Sequence, residues 1–144
     1  MPLTLRPATQ DDEKKIKTLI HQTGINPMNL DWERFIVAED SGEFVGCGQL
    51  KPHKDGALEL ASLAVTPERQ GAGIGATLIK ALIERAPGEL YLTCRDKLVT
   101  YYQRFGFEKI GLETMPRSFK VIYRASRILS KIAGEGISVM RRGG

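Results

Sequence analysis

The sequence predicts a mixed α/β (α+β) fold, in which helices flank a sheet whose strands are mostly antiparallel. Three observations lead to this prediction. Three consecutive apolar runs are separated by short turns, which favours antiparallel neighbours. A glycine-rich stretch then opens an amphipathic helix, and another apolar run follows that helix. A strand–helix–strand crossover is therefore expected to join the two parts of the sheet.

The first elements are predicted from local signals. The stretch 3–9 is interpreted as a strand that ends at a turn. The helix over 10–24 has acidic residues in its first turn, apolar residues at helical spacing and a glycine as its stop signal. Two apolar runs within 34–50 flank Ser41 and Gly42, and this pair predicts a β-hairpin.

The remaining elements alternate between strands and helices. The helix over 73–86 is strongly amphipathic, because its apolar residues recur at helical spacing. A short helix over 96–105 is stopped by Gly106. The other predicted elements are strands over 58–65, 87–94, 107–113 and 136–142, and a helix over 117–132.

The bulk composition is ordinary for a soluble globular protein. The 144 residues suit one domain over 1–144, with 42% apolar and 26% charged residues. No apolar run approaches the ~20 residues of a membrane span, and no signal peptide is visible, so we expect a cytoplasmic protein with no membrane partner. Cys47 and Cys94 are isolated thiols and no Cys/His cluster suggests a metal site, so no metal is expected. The lone loop histidine His53 is expected to be solvated.

The positive charge is concentrated at the C-terminal end. Residues 1–114 carry 14 basic and 16 acidic side chains, whereas residues 115–144 carry seven basic and one acidic side chain. The net charge of +4 is therefore a property of the segment 115–144, which is expected to form a basic helix and a final strand.

The glycine-rich stretch 69–78, RQGAGIGATL, lies just ahead of the predicted helix. Successive backbone N–H groups and a helix N-terminus can together hold a phosphate. The spacing excludes a P-loop, because Ala76 and Thr77 stand where that motif has lysine and Ser/Thr. A relaxed dinucleotide fingerprint fits Gly71, Gly73 and Ala76, although no acid ends the next strand. A plain turn that only needs glycine remains open as well.

A longer segment, LASLAVTPERQGAGIGATLIKALIERA, resembles the acyl-CoA-binding segment of the GNAT superfamily of acetyl-CoA-dependent N-acetyltransferases. The motif Q/R-x-x-G-x-G/A of that family stands here as residues 70–75. The downstream stretch YYQRFGF resembles the family's Y-x-x-x-G-F element, and the likeness covers roughly residues 1–113. It implies the GNAT fold, with a central splayed pair of parallel strands.

The resemblance implies where acetyl-CoA, the expected co-substrate, binds. The pyrophosphate is expected on the loop amides, and Arg69 is a candidate phosphate ligand, although it also suits a solvated turn. The pantetheine arm, a chain of amides, is expected to extend the sheet along the preceding strand. The implied cofactor-binding residues are Leu63, Ala64, Val65, Arg69, Gln70, Gly71, Ala72, Gly73, Ile74, Gly75 and Ala76.

The resemblance also implies direct attack of a neutral amine on the thioester in a ternary complex. Tyr102 occupies the family's general-acid position, four residues before Gly106. Glu59 stands where some members carry a catalytic glutamate, whereas others use ordered water. Arg95 replaces an asparagine that often contacts the cofactor, which puts that contact in doubt. Cys94 is interpreted as a space-filling residue rather than a nucleophile.

A cationic stripe on the predicted C-terminal helix bears on the amine acceptor. Its basic residues face away from Ile122, Ala125, Leu129 and Ile132, and they are Arg117, Lys120, Arg124, Arg127 and Lys131. A solvated face is one interpretation, and a site for a substrate carboxylate is another. The stretches ELASLAV and YRASRILSK loosely resemble amino-acid N-acetyltransferases of the glutamate-acetylating type.

Two other function classes stay open. One is an acyl-CoA-binding regulatory domain without turnover, and the other is a basic module that binds nucleic acid through the C-terminal helix, although no aromatic platform supports nucleic acid as a partner. The expected partners are acetyl-CoA and an amine, which is a small molecule, an amino acid or a protein. An exposed final strand, GISVM, would allow pairing across a homodimer.

Overall fold

The structure is a computed structural model that describes residues 3–133 and 136–143, with side chains placed up to residue 128 and again from residue 136. Seven strands and four α-helices lie within these ranges. In chain order they are β1 (Leu3–Pro7), α1 (Glu13–Thr23), β2 (Phe35–Asp40), β3 (Glu43–Pro52), β4 (Leu58–Val65), α2 (Ile74–Arg85), β5 (Leu90–Arg95), α3 (Val99–Gln103), β6 (Glu108–Lys109), α4 (Arg117–Ala133) and β7 (Ile137–Arg142).

The strands follow the order β1-β2-β3-β4-β5-β7-β6 in one sheet. The ladders β1–β2, β2–β3, β5–β7 and β6–β7 are antiparallel. β4 and β5 pair in parallel, at the register position that sets Glu59 opposite Tyr91. The mixed, mostly antiparallel sheet with a central parallel pair is therefore confirmed.

Backbone contacts divide the chain into two compact units. Unit 1 comprises Met1–Lys51 and Leu60–Arg85, and unit 2 comprises Pro52–Glu59 and Ala86–Gly144. The chain thus passes twice through each unit. A single domain over 1–144 stays a prediction.

In unit 1, α1 packs on one face of the strands. Its buried residues Ile16, Leu19 and Ile20 join a core that also contains Phe35, Val37, Cys47 and Ala64. The β2–β3 hairpin turns at Ser41 and Gly42, which have φ angles of 52° and 83°. Two successive positive φ angles are typical of the type I′ turn that matches the twist of paired strands. The hairpin was thus correctly predicted from its two turn residues.

The helix α2 packs against the opposite face of the unit 1 strands. Gly46 and Gly48 flank Cys47 in β3, and side chains alternate between the two faces of a strand. A Cβ atom at Gly48 would lie 2.9 Å from a methyl group of Leu82, and one at Gly46 would lie 3.1 Å from Leu78. These two glycines therefore bring α2 close to the sheet.

In unit 2, α4 covers β5 and β7 through an aromatic cluster. Phe119 of α4 is fully buried, and its ring centroid lies 5.3 Å from that of Tyr91 in β5. Met115 and Val139 complete the buried part of this cluster. Beside it, the Ser138 hydroxyl donates to the Asp96 carboxylate at 2.6 Å, which joins the start of β7 to the end of β5.

Three sequence predictions in unit 2 are corrected. The strand predicted over 107–113 is reduced to Glu108–Lys109, because the chain leaves the sheet into a 3-10 turn at Leu112–Thr114. The final strand is not an exposed edge. β7 lies between β5 and β6, with Val139 and Met140 buried. Pairing of an exposed GISVM strand across a dimer is therefore wrong as a mechanism.

The basic helix is confirmed as α4, but its apolar side differs from the prediction. Ile122 packs on the aromatic cluster, as expected. Ala125 is exposed, because the buried stripe runs through Phe119 and Ile122 instead. The side chains of Leu129, Lys131 and Ile132, which completed the two predicted stripes, lie outside the described residues.

Candidate active site

The glycine turn of unit 1 joins the end of β4 to the start of α2. After β4, the Thr66 amide donates to the Val45 carbonyl at 2.9 Å, and a 3-10 turn follows over Pro67–Arg69. Gly71 and Gly73 then adopt φ angles of 85° and 84°, a left-handed conformation that residues with a Cβ rarely adopt. The sequence needs glycine here for its backbone conformation.

The space around this turn is open. A Cβ atom added to Gly71 or Gly73 would meet no heavy atom within 4 Å. Close packing with the protein therefore does not explain the two glycines. Their bare backbone instead leaves room for a ligand to approach the turn.

The start of α2 adds electrostatic attraction for an anion. The first N–H groups of a helix have no acceptor within the helix, and the aligned peptide dipoles place about half a positive charge there. In α2 these groups are the amides of Ile74, Gly75 and Ala76, since the Thr77 amide already donates to the Gly73 carbonyl at 3.1 Å. The helix begins directly after Gly73, so this partial charge lies at the glycine turn.

Arg69 is held by carboxylates of the β2–β3 hairpin. Its guanidinium forms ion pairs with Asp40 and with Glu43, the latter at 3.3 Å. The neighbouring Gln70 side chain donates to the Val65 carbonyl at 3.2 Å, which ties the turn to the end of β4. Both side chains therefore brace the turn, and Arg69 as a phosphate ligand stays a prediction.

The strand β4 carries a kink before the predicted pantetheine edge. Ser62 has a φ of 56°, an uncommon value for a residue other than glycine. Beyond the kink, Leu63 lies on the α2 face beside Gly48, and Ala64 is buried in the α1 core. The kink thus sets the direction of the backbone over Leu63–Val65, which is where the resemblance places the donor arm.

In unit 2, Glu59 is paired with His53. The Nε2 atom of His53 lies 2.8 Å from Oε1 of Glu59, and their side chains are 16% and 10% exposed. When Glu59 is ionised its carboxylate can only accept, and Nε2–H of His53 is then the donor. The ring of Phe119 packs beside His53, with the centroids 5.1 Å apart. The expectation of a solvated histidine is therefore wrong, because the β3–β4 turn folds His53 back onto β4.

The turn that carries His53 is itself braced. The His53 amide donates to the Ala57 carbonyl at 2.8 Å. The Asp55 carboxylate accepts from the amides of Ala57 and Ser118, and the bond to Ser118 caps the first turn of α4. These backbone hydrogen bonds, foremost that from Ser118, lower the pKa of Asp55. A cavity of about 390 Å³ lies beside this turn, with Tyr91 and Glu89 also in its wall.

Tyr102 lies on α3 among aromatic rings. Its ring meets those of Tyr101 and Phe107 edge-on, with centroids 5.2 and 6.2 Å away. Burial, and then the nearby Cys94 and Tyr101, raise the pKa of Tyr102 to about 12. The hydroxyl therefore keeps its proton throughout the neutral range, as a proton donor must.

Both cysteines are buried and protonated at neutral pH. Burial raises the pKa of Cys94 to about 11, with Asp96 adding to the effect, and it raises that of Cys47 to about 12. A thiolate is the nucleophilic form of cysteine. The structure therefore agrees with Cys94 as a space-filling residue, and its Sγ packs 3.8 Å from the sulfur of Met140.

Among residues 3–133 and 136–143, no group of three or more His, Cys, Asp or Glu side chains is arranged to hold a metal ion. Within the same residues, no helix is both long and apolar enough to cross a membrane.

Arg95, which stands where the GNAT pattern often has an asparagine, is the last residue of β5 and is exposed.

Comparison with known proteins identifies relatives. An amino-acid acetyltransferase of Ralstonia nicotianae is 31% identical over 145 residues, which cover 88% of this chain and 32% of that protein. The chain spans about a quarter to a third of the curated relatives it matches, for example 24% of the amino-acid acetyltransferase of Vibrio vulnificus.

Two solved structures share the fold. N-acetylglutamate synthase from Neisseria gonorrhoeae, complexed with coenzyme A and N-acetyl-glutamate, has a TM-score of 0.78 at 21% identity, over 99% of this chain and 35% of that chain. Rv2747 from Mycobacterium tuberculosis, in complex with CoA, has a TM-score of 0.77 at 22% identity, over 98% of this chain and 99% of that chain. At these identities the likeness establishes the fold alone.

The family itself comes from the sequence match. The family described as Acetyltransferase (GNAT) domain matches residues 31–109, more than half of the chain. The matched segment runs from the hairpin strands through the glycine turn to α3 and β6. The chain therefore belongs to the GNAT family of acetyltransferases.

Proposed function

We propose that this protein is an N-acetyltransferase that moves an acetyl group from acetyl-CoA to a primary amine by direct attack in a ternary complex. The observation that carries the proposal is the open glycine turn at the start of α2. Gly71 and Gly73 present bare backbone to open space beside unpaired helix amides, in a chain of the GNAT family. A pyrophosphate fits such a turn in charge and in size.

The residues that would hold the donor are those of unit 1. The amides from Gln70 to Ala76 would bind the pyrophosphate, and the backbone over Leu63–Val65 would pair with the pantetheine amides. Acetyl-CoA supplies, when bound, an acetyl group activated as a thioester. A strand N–H directed at the thioester oxygen would stabilise the negative charge that develops during attack.

Glu59, held by His53, is proposed to accept the proton of the amine. The Nε2–H of His53 donates to Oε1 of Glu59, which leaves Oε2 to accept a proton as the amine attacks. The Glu59 side chain is only 10% exposed, and His53 supplies a hydrogen-bond partner that holds its carboxylate in place. The histidine is thus a positioning residue for the base.

Tyr102 is proposed to protonate the departing thiolate. Its raised pKa of about 12 keeps the hydroxyl protonated. It lies on α3, four residues before Gly106, which is where the family pattern has its general acid.

An amino acid is the acceptor class that we propose. The name of the Ralstonia relative supports it, and so does the cationic face of α4, where Arg117, Arg124 and Arg127 would bind a substrate carboxylate.

A homodimer and a cytoplasmic location are also proposed. Light scattering tests the homodimer, and cell fractionation tests the location.

The test is a free-thiol release assay with acetyl-CoA over a panel of amino acids, simple amines and peptides. We expect acetylation of at least one α-amino acid. Coenzyme A binding by calorimetry without turnover on any acceptor would favour the alternative, a non-catalytic acyl-CoA-binding regulatory domain. Failure to bind coenzyme A would contradict both.

A further inference from the structure

The side chain of Gln49 joins three parts of unit 1. Gln49 lies in β3 and is fully buried, with 0% of its surface exposed. Its Nε2 donates to the Ser62 hydroxyl at 2.8 Å and to the Asn29 carbonyl at 3.3 Å. One amide group thus connects β3, the kink of β4 and the loop between α1 and β2.

The orientation of this amide is fixed by its partners. A backbone carbonyl can only accept a hydrogen bond, so the atom that faces Asn29 must be Nε2. Both hydrogens of Nε2 are then in use, and Oε1 points elsewhere. Among the described residues, Oε1 of Gln49 is buried and has no hydrogen-bond donor.

A buried acceptor without a donor is costly, and folded proteins rarely retain one without a function. The backbone beside Gln49 is strained as well. Its partner Ser62 has a φ of 56°, in the left-handed region that serine rarely adopts, whereas Asn29, at 58°, is of a type that tolerates it. Strain of this kind tends to collect at binding sites.

The position of Gln49 indicates the ligand side. Gln49 and Cys47 lie on the same face of β3, because side chains two residues apart share a face. Cys47 packs in the α1 core, so Gln49 lies on the α1 face, opposite the face that carries α2. The loop with Asn29 is exposed on this side, and Met28 in it is 64% exposed.

We propose that Oε1 of Gln49 is a specificity-determining acceptor, which binds an N–H of the acceptor amine. This inference rests on the proposed function. A neutral primary amine has two N–H donors and one lone pair, so a bond from one N–H to Oε1 orients the lone pair for attack. Because Oε1 is buried, the side chains around Gln49 must shift as the amine binds.

The experiment compares Gln49→Met with the wild-type protein. Methionine keeps a similar volume and removes the acceptor, together with the two hydrogen bonds that Nε2 donates. We expect KM for L-glutamate, or for the best amine of the panel, to rise roughly tenfold, while KM for acetyl-CoA stays unchanged. Gln22→Met, at an exposed glutamine of α1, is the matched control and should change neither value.

A second measurement does not depend on turnover. In the wild-type protein, the side-chain amide resonance of Gln49 should shift on titration with L-glutamate or propylamine in the presence of coenzyme A. No shift with either amine overturns the proposal. So does a Gln49→Met protein that changes both KM values equally or lowers only the thermal midpoint, because Gln49 would then be structural. Amine binding without acetyl transfer would retain the proposal and contradict the enzyme function.

Discussion

Tyr102 combines burial with a position that the GNAT pattern assigns to the acid. Replacing it by phenylalanine keeps the aromatic contacts with Tyr101 and Phe107 and removes the proton. We expect Tyr102→Phe to lower kcat by about 10²-fold or more, because proton transfer to a leaving group contributes at least that much. The dissociation constant of coenzyme A should not change.

Steady-state kinetics and calorimetry check this expectation. Tyr101→Phe is the matched control, since Tyr101 is a half-buried tyrosine on the same helix. Equal kcat values for the two variants would contradict the assignment of Tyr102 as the acid.

His53 offers a test of the base. In His53→Leu, the Glu59 carboxylate loses its donor in a buried place, and a buried acceptor without a partner costs about 1–3 kcal/mol. We expect kcat/KM to fall by roughly tenfold at neutral pH, because the carboxylate is no longer held in the orientation that accepts the amine proton.

Two variants serve as controls for His53→Leu. His53→Gln retains an N–H donor and should recover part of the activity. His21→Leu alters an exposed histidine of α1 and should leave kcat/KM unchanged. An unchanged kcat/KM in His53→Leu, or no recovery in His53→Gln, would exclude a role for His53 in holding the base.

At the scale of elements, the Asp55 carboxylate controls the start of α4. Its bond to the Ser118 amide is an N-terminal cap supplied by a distant turn. We expect Asp55→Ala to lower the free energy of unfolding by about 0.5–2 kcal/mol, the usual range for a lost cap. Asp55→Asn keeps an acceptor and should lose less. Urea unfolding at neutral pH measures both.

The lowered pKa of Asp55 adds a pH dependence with a definite sign. A carboxyl whose pKa is lower in the folded state stabilises the protein above its ordinary pKa, and this stabilisation is lost as the pH falls through the lowered value. Acid unfolding of the wild-type protein should therefore include a contribution that both Asp55 variants lack. Parallel acid titrations of all three proteins would contradict it.

The elements also differ in how well local sequence predicts them. The β2–β3 hairpin and the end of α1 at Gly24 follow from turn residues that act within a few positions of the chain. The length of β6 is limited because the chain leaves the sheet for the 3-10 turn at Leu112–Thr114, which the apolar pattern of residues 107–113 does not indicate. Nor does a local pattern indicate that β7, which was expected at an edge, lies inside the sheet.

The site shows the same division. The glycine turn and Tyr102 were predicted because their motifs are contiguous in the sequence. His53 and Gln49 were not predicted, because each contacts residues that only the folded chain brings close. His53 meets Glu59 across a turn, and Gln49 meets Ser62 and Asn29 from separate segments. An isolated histidine or glutamine carries no signal of such a partner.

At the scale of the whole molecule, three weakly acidic side chains with raised pKa values predict that alkali lowers the stability of the fold. The pKa values of Cys47, Cys94 and Tyr102 are raised to about 12, 11 and 12. A raised pKa in the folded state gives stability that is complete below the ordinary value and is lost as the pH rises through the raised one. We expect the free energy of unfolding to fall between about pH 9 and about pH 12.

Urea unfolding at a series of alkaline pH values measures this slope. Cys47→Ala creates a cavity whose cost does not depend on pH, so the variant should be less stable at neutral pH and lose less on going to alkali. A slope identical to that of the wild-type protein would show that Cys47 does not contribute.

The place of β7 in the sheet has a consequence for how the protein is made. β7 comes after all other strands in the sequence, yet it lies between β5 and β6. During synthesis, β5 leaves the ribosome before β7, so one of its hydrogen-bonding edges is unpaired at that time. Asp96 likewise has to be joined by Ser138, which is more than forty residues later in the sequence. Until β7 is synthesised, that edge can recruit other nascent chains. We therefore expect newly made protein to associate more readily before β7 pairs than after the sheet is complete.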